Sequence, residues 1–435
     1  MSITVGPTSA ASVGVANPEL EISFRRAQWR MLLATCFCYL FFYLGRQTFG
    51  FAIPGIQAEL GLSKQQLGWI SAALLWFYAI GQAINGNLGD KYGGRRAMTA
   101  GAVLSCVANW CVSFGSGFWT LCVPWGVNGY FQALGWAPGS RLLSNWWGAN
   151  ERGKVYGFYL FASGAASVLA FVSSIIVIDI LHLDWRWIFR IPVLVMFLAG
   201  VFYFLVVRDT PEDLGHKSLH DEGKASDPKA VETIVADETS YQRYKAVLSN
   251  WRISVAGLTI GFANAARYGL VVWVPVHFLG KAVGAAGSGQ RWISVALPIG
   301  MAIGAITNGW VSDRFFGSHR GNAIALYMFF AIGTSIAMYF IPTSDALLGI
   351  FALFLCGFFV FGPYASLYAL CPDLVGVKRA GTATGILNFY SYLLAGLIEP
   401  TIGAILDHYH DTSIIFLVVA VSCTLSFVFS LFIKR

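Results

Sequence analysis

Residues 86–96 read GNLGDKYGGRR, and residues 309–320 read GWVSDRFFGSHR. In both, a glycine precedes an Asp–cation pair by four residues, and glycine and arginine follow. Asp90 and Asp313 stand 223 residues apart. A second pair keeps nearly that offset: RQTFGFAIP at 46–54 and RYGLVVWVP at 267–275, with arginines 221 residues apart. A looser match, ERGK at 151 and KRAG at 378, lies 227 apart. Three markers on one offset describe a duplicated chain.

Composition says what is duplicated. Of 435 residues, 56% are hydrophobic and 12% charged, against about 25% charged in an ordinary soluble chain. Apolar stretches of bilayer-spanning length recur almost throughout. Twelve spans are expected, near 28–50, 67–89, 97–117, 119–145, 153–178, 185–207, 252–280, 290–312, 321–341, 345–370, 379–403 and 412–433. The expected fold class is therefore an all-α membrane protein whose twelve spans divide six from six, an arrangement that the resemblance described below implies is two six-helix bundles. The bundles cover 23–207 and 251–435, joined by a polar cytoplasmic linker at 208–250. Residues 1–22 lack the basic start and short apolar core of a signal peptide, and are expected to be a disordered cytoplasmic tail.

Charge sidedness sets the orientation. Placing both termini and the linker on one side puts 22 of the 29 Lys and Arg residues there, leaves five opposite and two within the membrane. This fits the positive-inside rule with both termini cytoplasmic. It also accounts for the net charge of +7 without a nucleic-acid partner. The eight cysteines show no metal-ligand spacing and read as small buried apolar residues, so no metal or cofactor is expected. No nucleophile–base pair or phosphate-cradling glycine loop points to an enzyme.

The two intramembrane cations are Arg46 and Arg267. An arginine at mid-bilayer costs roughly 2.5–3.5 kcal/mol on insertion scales, so it faces a cavity or a partner. No Asp or Glu falls at mid-depth in spans one, two, four, five or seven. Guanidinium keeps its charge and presents a planar fork that matches oxyanions. One fork from each half suits a small anion held between the bundles. Helical spacing adds neighbours: Tyr39, Tyr43 and Arg46 at i, i+4 and i+7, Asn264 one turn before Arg267, and Asn388, Tyr392 and Glu399 at i, i+4 and i+11. Each single tyrosine or asparagine fits a helix–helix hydrogen bond equally well.

The Gly-x-x-x-Asp loop after the second span resembles the signature loop of the major facilitator superfamily. That resemblance implies bundles related by a two-fold along the membrane normal and alternating access to a midplane site. It also implies that Asp90, Arg95, Arg96, Asp313 and Arg314 gate the cytoplasmic side, a surface topology role being the alternative. FFYLGRQTFGFAIP, GYFQALGWAPGSRLLSNWWGANERGK, NAARYGLVVWVP, FGPYASLYAL and AGTATG resemble the organophosphate:phosphate antiporters within that superfamily. This implies a monomeric bacterial inner-membrane carrier that grips phosphate with Arg46 and Arg267 and exchanges an organophosphate for inorganic phosphate.

Three positions depart from that pattern. Gln47 stands where such carriers commonly have lysine, Ser163 where they have histidine, and Phe361 where they have tyrosine. Each removes charge or a hydrogen bond from the expected pocket. A phosphonate, a sulfonate or a phosphorylated acid then competes with the sugar phosphates as substrate. Glu399 has two readings: solvated near the outer end of span eleven, or neutralising an ammonium group or carrying a coupling proton. Two other functions stay open, a proton-coupled carboxylate or sulfonate symporter and a transporter-like sensor of sugar phosphate.

Overall fold

A computed structural model describes residues 18–216, 240–280, 292–317, 319–375 and 379–433. Twelve helical spans run through these residues, in line with the expected fold class. Seven pass a simple test of length and hydropathy. Spans two, three, four and eight are more polar, and span twelve, Ile414–Ser430, is short.

Span one begins at Pro18, so residues 18–22 belong to a helix and not to the expected tail. Its first part ends at Phe42, a 3₁₀ turn covers Tyr43–Gly45, and a second helix runs Phe49–Leu60. Span two is Lys64–Tyr92 and span three Gly94–Ser113. Span four divides into Phe118–Gln132 and Trp136–Trp146. Pro138 has no N–H to offer the carbonyl of Leu134, which accounts for the interruption. Span five is Ala149–Ile175 with a π turn to Ile180, and span six is Ile191–Val206.

In the second half, span seven is one helix, Trp251–Gly280. Spans eight and nine are Ala296–Phe316 and Arg320–Phe340. Span ten breaks at Gly362–Pro363, between Ala346–Phe361 and Tyr364–Val375. Span eleven is Ala380–Tyr409. Of the expected linker, 217–239 lies outside the described residues, and its end forms the helix Ser240–Leu248.

The halves meet mainly through spans two and eleven, with the second part of span one against span seven. On the face opposite the termini this seam is closed. Asp407 accepts the backbone N–H groups of Lys64 and Gln65 at 3.0 and 2.9 Å, an acid captured by a helix N-terminus across the halves. Trp76 donates its indole N–H to the carbonyl of Leu393 at 3.2 Å. Gly68 lets the backbones touch: a Cβ there would lie 2.5 Å from the carbonyl oxygen of Glu399.

Candidate anion-binding site

Arg46 follows the 3₁₀ turn with φ −140° and ψ −17°, outside the helical region. The sequence spacing treats Tyr39, Tyr43 and Arg46 as one helical face. They do meet, but through a broken helix. The Arg46 guanidinium lies 4.0 Å over the Tyr43 ring and 5.1 Å over Tyr78, and donates to the Tyr39 hydroxyl at 3.4 Å. On span seven, Arg267 sits in unbroken helix, over Phe361 at 4.6 Å, Tyr268 at 5.2 Å and Tyr364 at 5.8 Å. These stacks hold the charge without neutralising it.

The two arginines share a wall of tyrosines. Tyr43, Tyr268 and Tyr392 each lie within electrostatic reach of both guanidiniums. The rings of Tyr78 and Tyr392 meet across the halves, tilted, at 4.4 Å, and Tyr392 reaches Tyr268 at 5.9 Å. Arg46 and Arg267 are 5% and 4% exposed, and neither has a carboxylate partner among the described residues. Both Nε atoms are buried without an acceptor. An unpaired buried donor of this kind costs about 1–3 kcal/mol, and more when charged. Two such donors, one from each half, are free to donate to an anion.

The remaining expected residues divide. Ser163 is buried against Tyr43, and Phe361 supplies a ring face to Arg267 but no hydroxyl. Tyr392 belongs to the wall. Asn388 accepts from the Tyr368 hydroxyl at 2.6 Å. Asn264 is committed on both sides: its oxygen accepts from Tyr364 at 2.6 Å, and its amide donates to the carbonyl of Ser391 at 3.0 Å. It steadies Tyr364 beside Arg267.

Glu399 corrects the solvated reading. It is 0% exposed, its Oε2 accepts the indole N–H of Trp273 at 2.8 Å, and Oε1 has no partner. Span eleven continues to Tyr409, ten residues past Glu399, so the acid is not at a helix end. Ser71 of span two also reaches it, across the seam. It stands seven residues, about 10 Å of helix rise, beyond Tyr392 toward the closed face. Glu399 therefore lies apart from the arginine layer.

Among the gating residues, the side chains of Asp90 and Asp313 lie outside the described ones. Arg95 donates its backbone N–H to Asp209 at 2.8 Å and its Nε to the carbonyl of Phe204 at 2.7 Å, both within its own half. Arg96 and Arg314 are exposed.

Two features escaped the sequence reading. Gln47 counted only as a missing lysine, yet both its amide atoms are buried without partners directly after Arg46. Ser105, Asn109, Asn128 and Gln132 form a buried cluster beneath the break in span one. The signal was present as polar i, i+4 pairs in spans three and four.

The sequence matches the Major Facilitator Superfamily over residues 35–398 and 267–435. A glycerol-3-phosphate transporter of Bacillus subtilis is 27% identical over 423 residues, covering 94% of this chain and 93% of the relative. A probable hexose phosphate transport protein of Chlamydia trachomatis is 28% identical, covering 90% and 88%. The membrane sensor protein UhpC of Escherichia coli is 25% identical, covering 96% and 94%. Among solved structures, a bacterial homologue of the lysosomal transporter Spinster, inward-facing and unoccupied, superposes with a TM-score of 0.72 at 14% identity, covering 94% of this chain and 95% of that one. The D-xylose-proton symporter superposes at 0.67, also at 14% identity, covering 94% and 98%. Such identities carry the fold alone. The fold, the paired arginines and the sequence match agree: the chain is a multi-pass transport protein, not an enzyme, and belongs to the major facilitator superfamily in its organophosphate-transporter-like branch.

Proposed function

We propose that the chain carries a small organic oxyanion, a phosphate monoester or phosphonate, in exchange for inorganic phosphate. One observation carries this reading: two buried guanidiniums, one from each half, with unsatisfied Nε donors and no carboxylate partner among the described residues. A dianion between them accepts charge-assisted hydrogen bonds from both forks, each worth about 1.5–3 kcal/mol. Gln47 and the tyrosine hydroxyls suit its remaining oxygens and its organic part. Empty, the site keeps two like charges at the seam and opposes closure. Loaded, that repulsion is offset, so exchange outruns empty return. With both termini cytoplasmic, the closed seam is the outer one.

The test is counterflow in proteoliposomes loaded with phosphate, screening labelled phosphate esters, phosphonates and sulfonates. Uptake of one of them, trans-stimulated by phosphate, supports the reading. Uptake of only neutral or cationic solutes overturns it. A protein that binds such esters without moving them would instead behave as a sensor.

Glu399 favours one second reading, proton-coupled symport of the same class of anion. A buried acid with an oxygen free of partners is a site where a proton could travel. Uptake driven by an imposed pH gradient into vesicles without internal phosphate, and lost in Glu399→Gln, would replace exchange by symport. Absence of such uptake removes it.

A further inference from the structure

The break that presents Arg46 leaves backbone carbonyls without helical donors. Gly45 shows where one of them goes. Its oxygen accepts from Asn128 Nδ2 at 2.6 Å and from Asn109 Nδ2 at 3.2 Å. Asn128 is itself fixed, its Oδ1 accepting from the Ser105 hydroxyl at 2.6 Å and from Asn109 at 3.2 Å. Gln132 donates to the Ser105 oxygen at 2.7 Å. All four side chains are 0% exposed. Gly45 gives the cluster room: a Cβ there would lie 2.5 Å from Gln132 Nε2 and 3.0 Å from Ser105 Oγ, so Gln132 would have to shift.

The other half lacks this cluster at the matching places. Counted from the helix starts Gly94 and Arg320, Ser105 corresponds to Ala331 and Asn109 to Ser335. Counted from Phe118 and Ala346, Asn128 corresponds to Cys356 and Gln132 to Val360. Ser335 Oγ and Cys356 Sγ touch at 3.9 Å, so the two registers agree. There span seven passes through Arg267 as unbroken helix and has no free carbonyl to satisfy. At these four positions the half with the broken arginine-bearing span has three amide side chains, and the other half has none.

We propose that Asn128, with Asn109, Ser105 and Gln132 behind it, is a positioning group for the anion site. It captures the Gly45 carbonyl, locks the turn from Tyr43 to Thr48, and thereby aims Arg46 and Gln47 at the ligand. This rests on Arg46 as an anion ligand. A turn without that capture returns toward continuous helix or frays, and either rotates Arg46 out of the tyrosine wall. Arg267 stays in place, because its helix needs no such support.

The test follows the reaction of phenylglyoxal with Arg46 and Arg267 of the full-length protein in lipid nanodiscs, read by peptide mass spectrometry. Arg267 serves as the internal reference. In Asn128→Leu the Arg46:Arg267 rate ratio should change by about five-fold or more, the scale of one lost buried hydrogen bond. Ser335→Ala in the opposite half should leave it unchanged. Should Asn128→Leu not fold, Ser105→Ala removes the hydroxyl that orients Asn128, with a shift of about two- to three-fold in the same ratio. An unchanged ratio in the folded variant, or an equal change from Ser335→Ala, overturns the proposal. A parallel arm adds inorganic phosphate to the unmodified protein. If phosphate protects neither arginine there, the anion-site reading fails. If it protects both while the ratio in the variant stays flat, only the positioning role fails.

Discussion

The two halves hold corresponding arginines in different ways. In the first, the helix stops at Phe42, Arg46 sits in irregular backbone, and four polar side chains from spans three and four support the break. In the second, the helix runs from Trp251 to Gly280, and Arg267 is placed by helical geometry and the rings of Phe361, Tyr268 and Tyr364. Duplication preserved the buried arginine but not the way it is held. A helix interior satisfies its own backbone. A break must borrow donors, and those donors are as much part of the site as the cation they aim.

The largest expected effect bears on what the halves share. Arg46→Lys and Arg267→Lys should each lower organophosphate counterflow by about 100-fold, since an ammonium replaces a bidentate fork with a point charge. Full activity in both variants would dissolve the pairing on which the comparison rests. The next effect bears on what they do not share. Gly45→Ala puts a methyl group against Gln132 and Ser105, an overpacking cost of about 1–3 kcal/mol, visible as a lower melting temperature in detergent. Ala266→Gly, at the matching place in span seven, should cost only about 1 kcal/mol as a helix-interior glycine. Equal losses would mean that the break is not the sensitive point.

The halves also contribute unequally to the closed seam: the second supplies Asp407, the first the helix end it captures. Asp407→Ala should weaken closure by roughly 0.5–2 kcal/mol, the usual worth of a side chain at a helix N-terminus. Spin labels on the ends of spans two and eleven at that face should then report a longer distance in a larger share of molecules. No change would assign closure to the glycine contacts instead. The smallest effect concerns Glu399, for which the first half has Val172 at the matching place by the offset of ERGK and KRAG. Glu399→Gln keeps an acceptor for the Trp273 indole, so phosphate counterflow should stay within about two-fold. A ten-fold loss would bring the acid into the transport cycle.

Much of the architecture was legible in the chain because its signals are local or periodic. Apolar length marked the spans, cation sidedness suggested an orientation, and repeated motifs at a near-constant offset exposed the duplication. Arg46 and Arg267 stood out because a cation in an apolar run has few ways to be stable. Neighbouring residues were harder. Asn264 and Asn388 look alike as single polar residues in helices, yet one is committed on both sides and the other accepts from Tyr368. Spacing alone does not distinguish them, since the difference lies on other helices.

Fold class and the two intramembrane arginines thus follow from the order of residues, because both depend on which side chains tolerate lipid. The break at Tyr43–Gly45, its amide support, the unpartnered Gln47 and the burial of Glu399 do not. Each depends on a helix distant in the chain coming to lie over that point: span four under Gly45, span two over Glu399. Hydrophobic periodicity says which face turns inward, but a free carbonyl or a buried acid is defined by what meets it there.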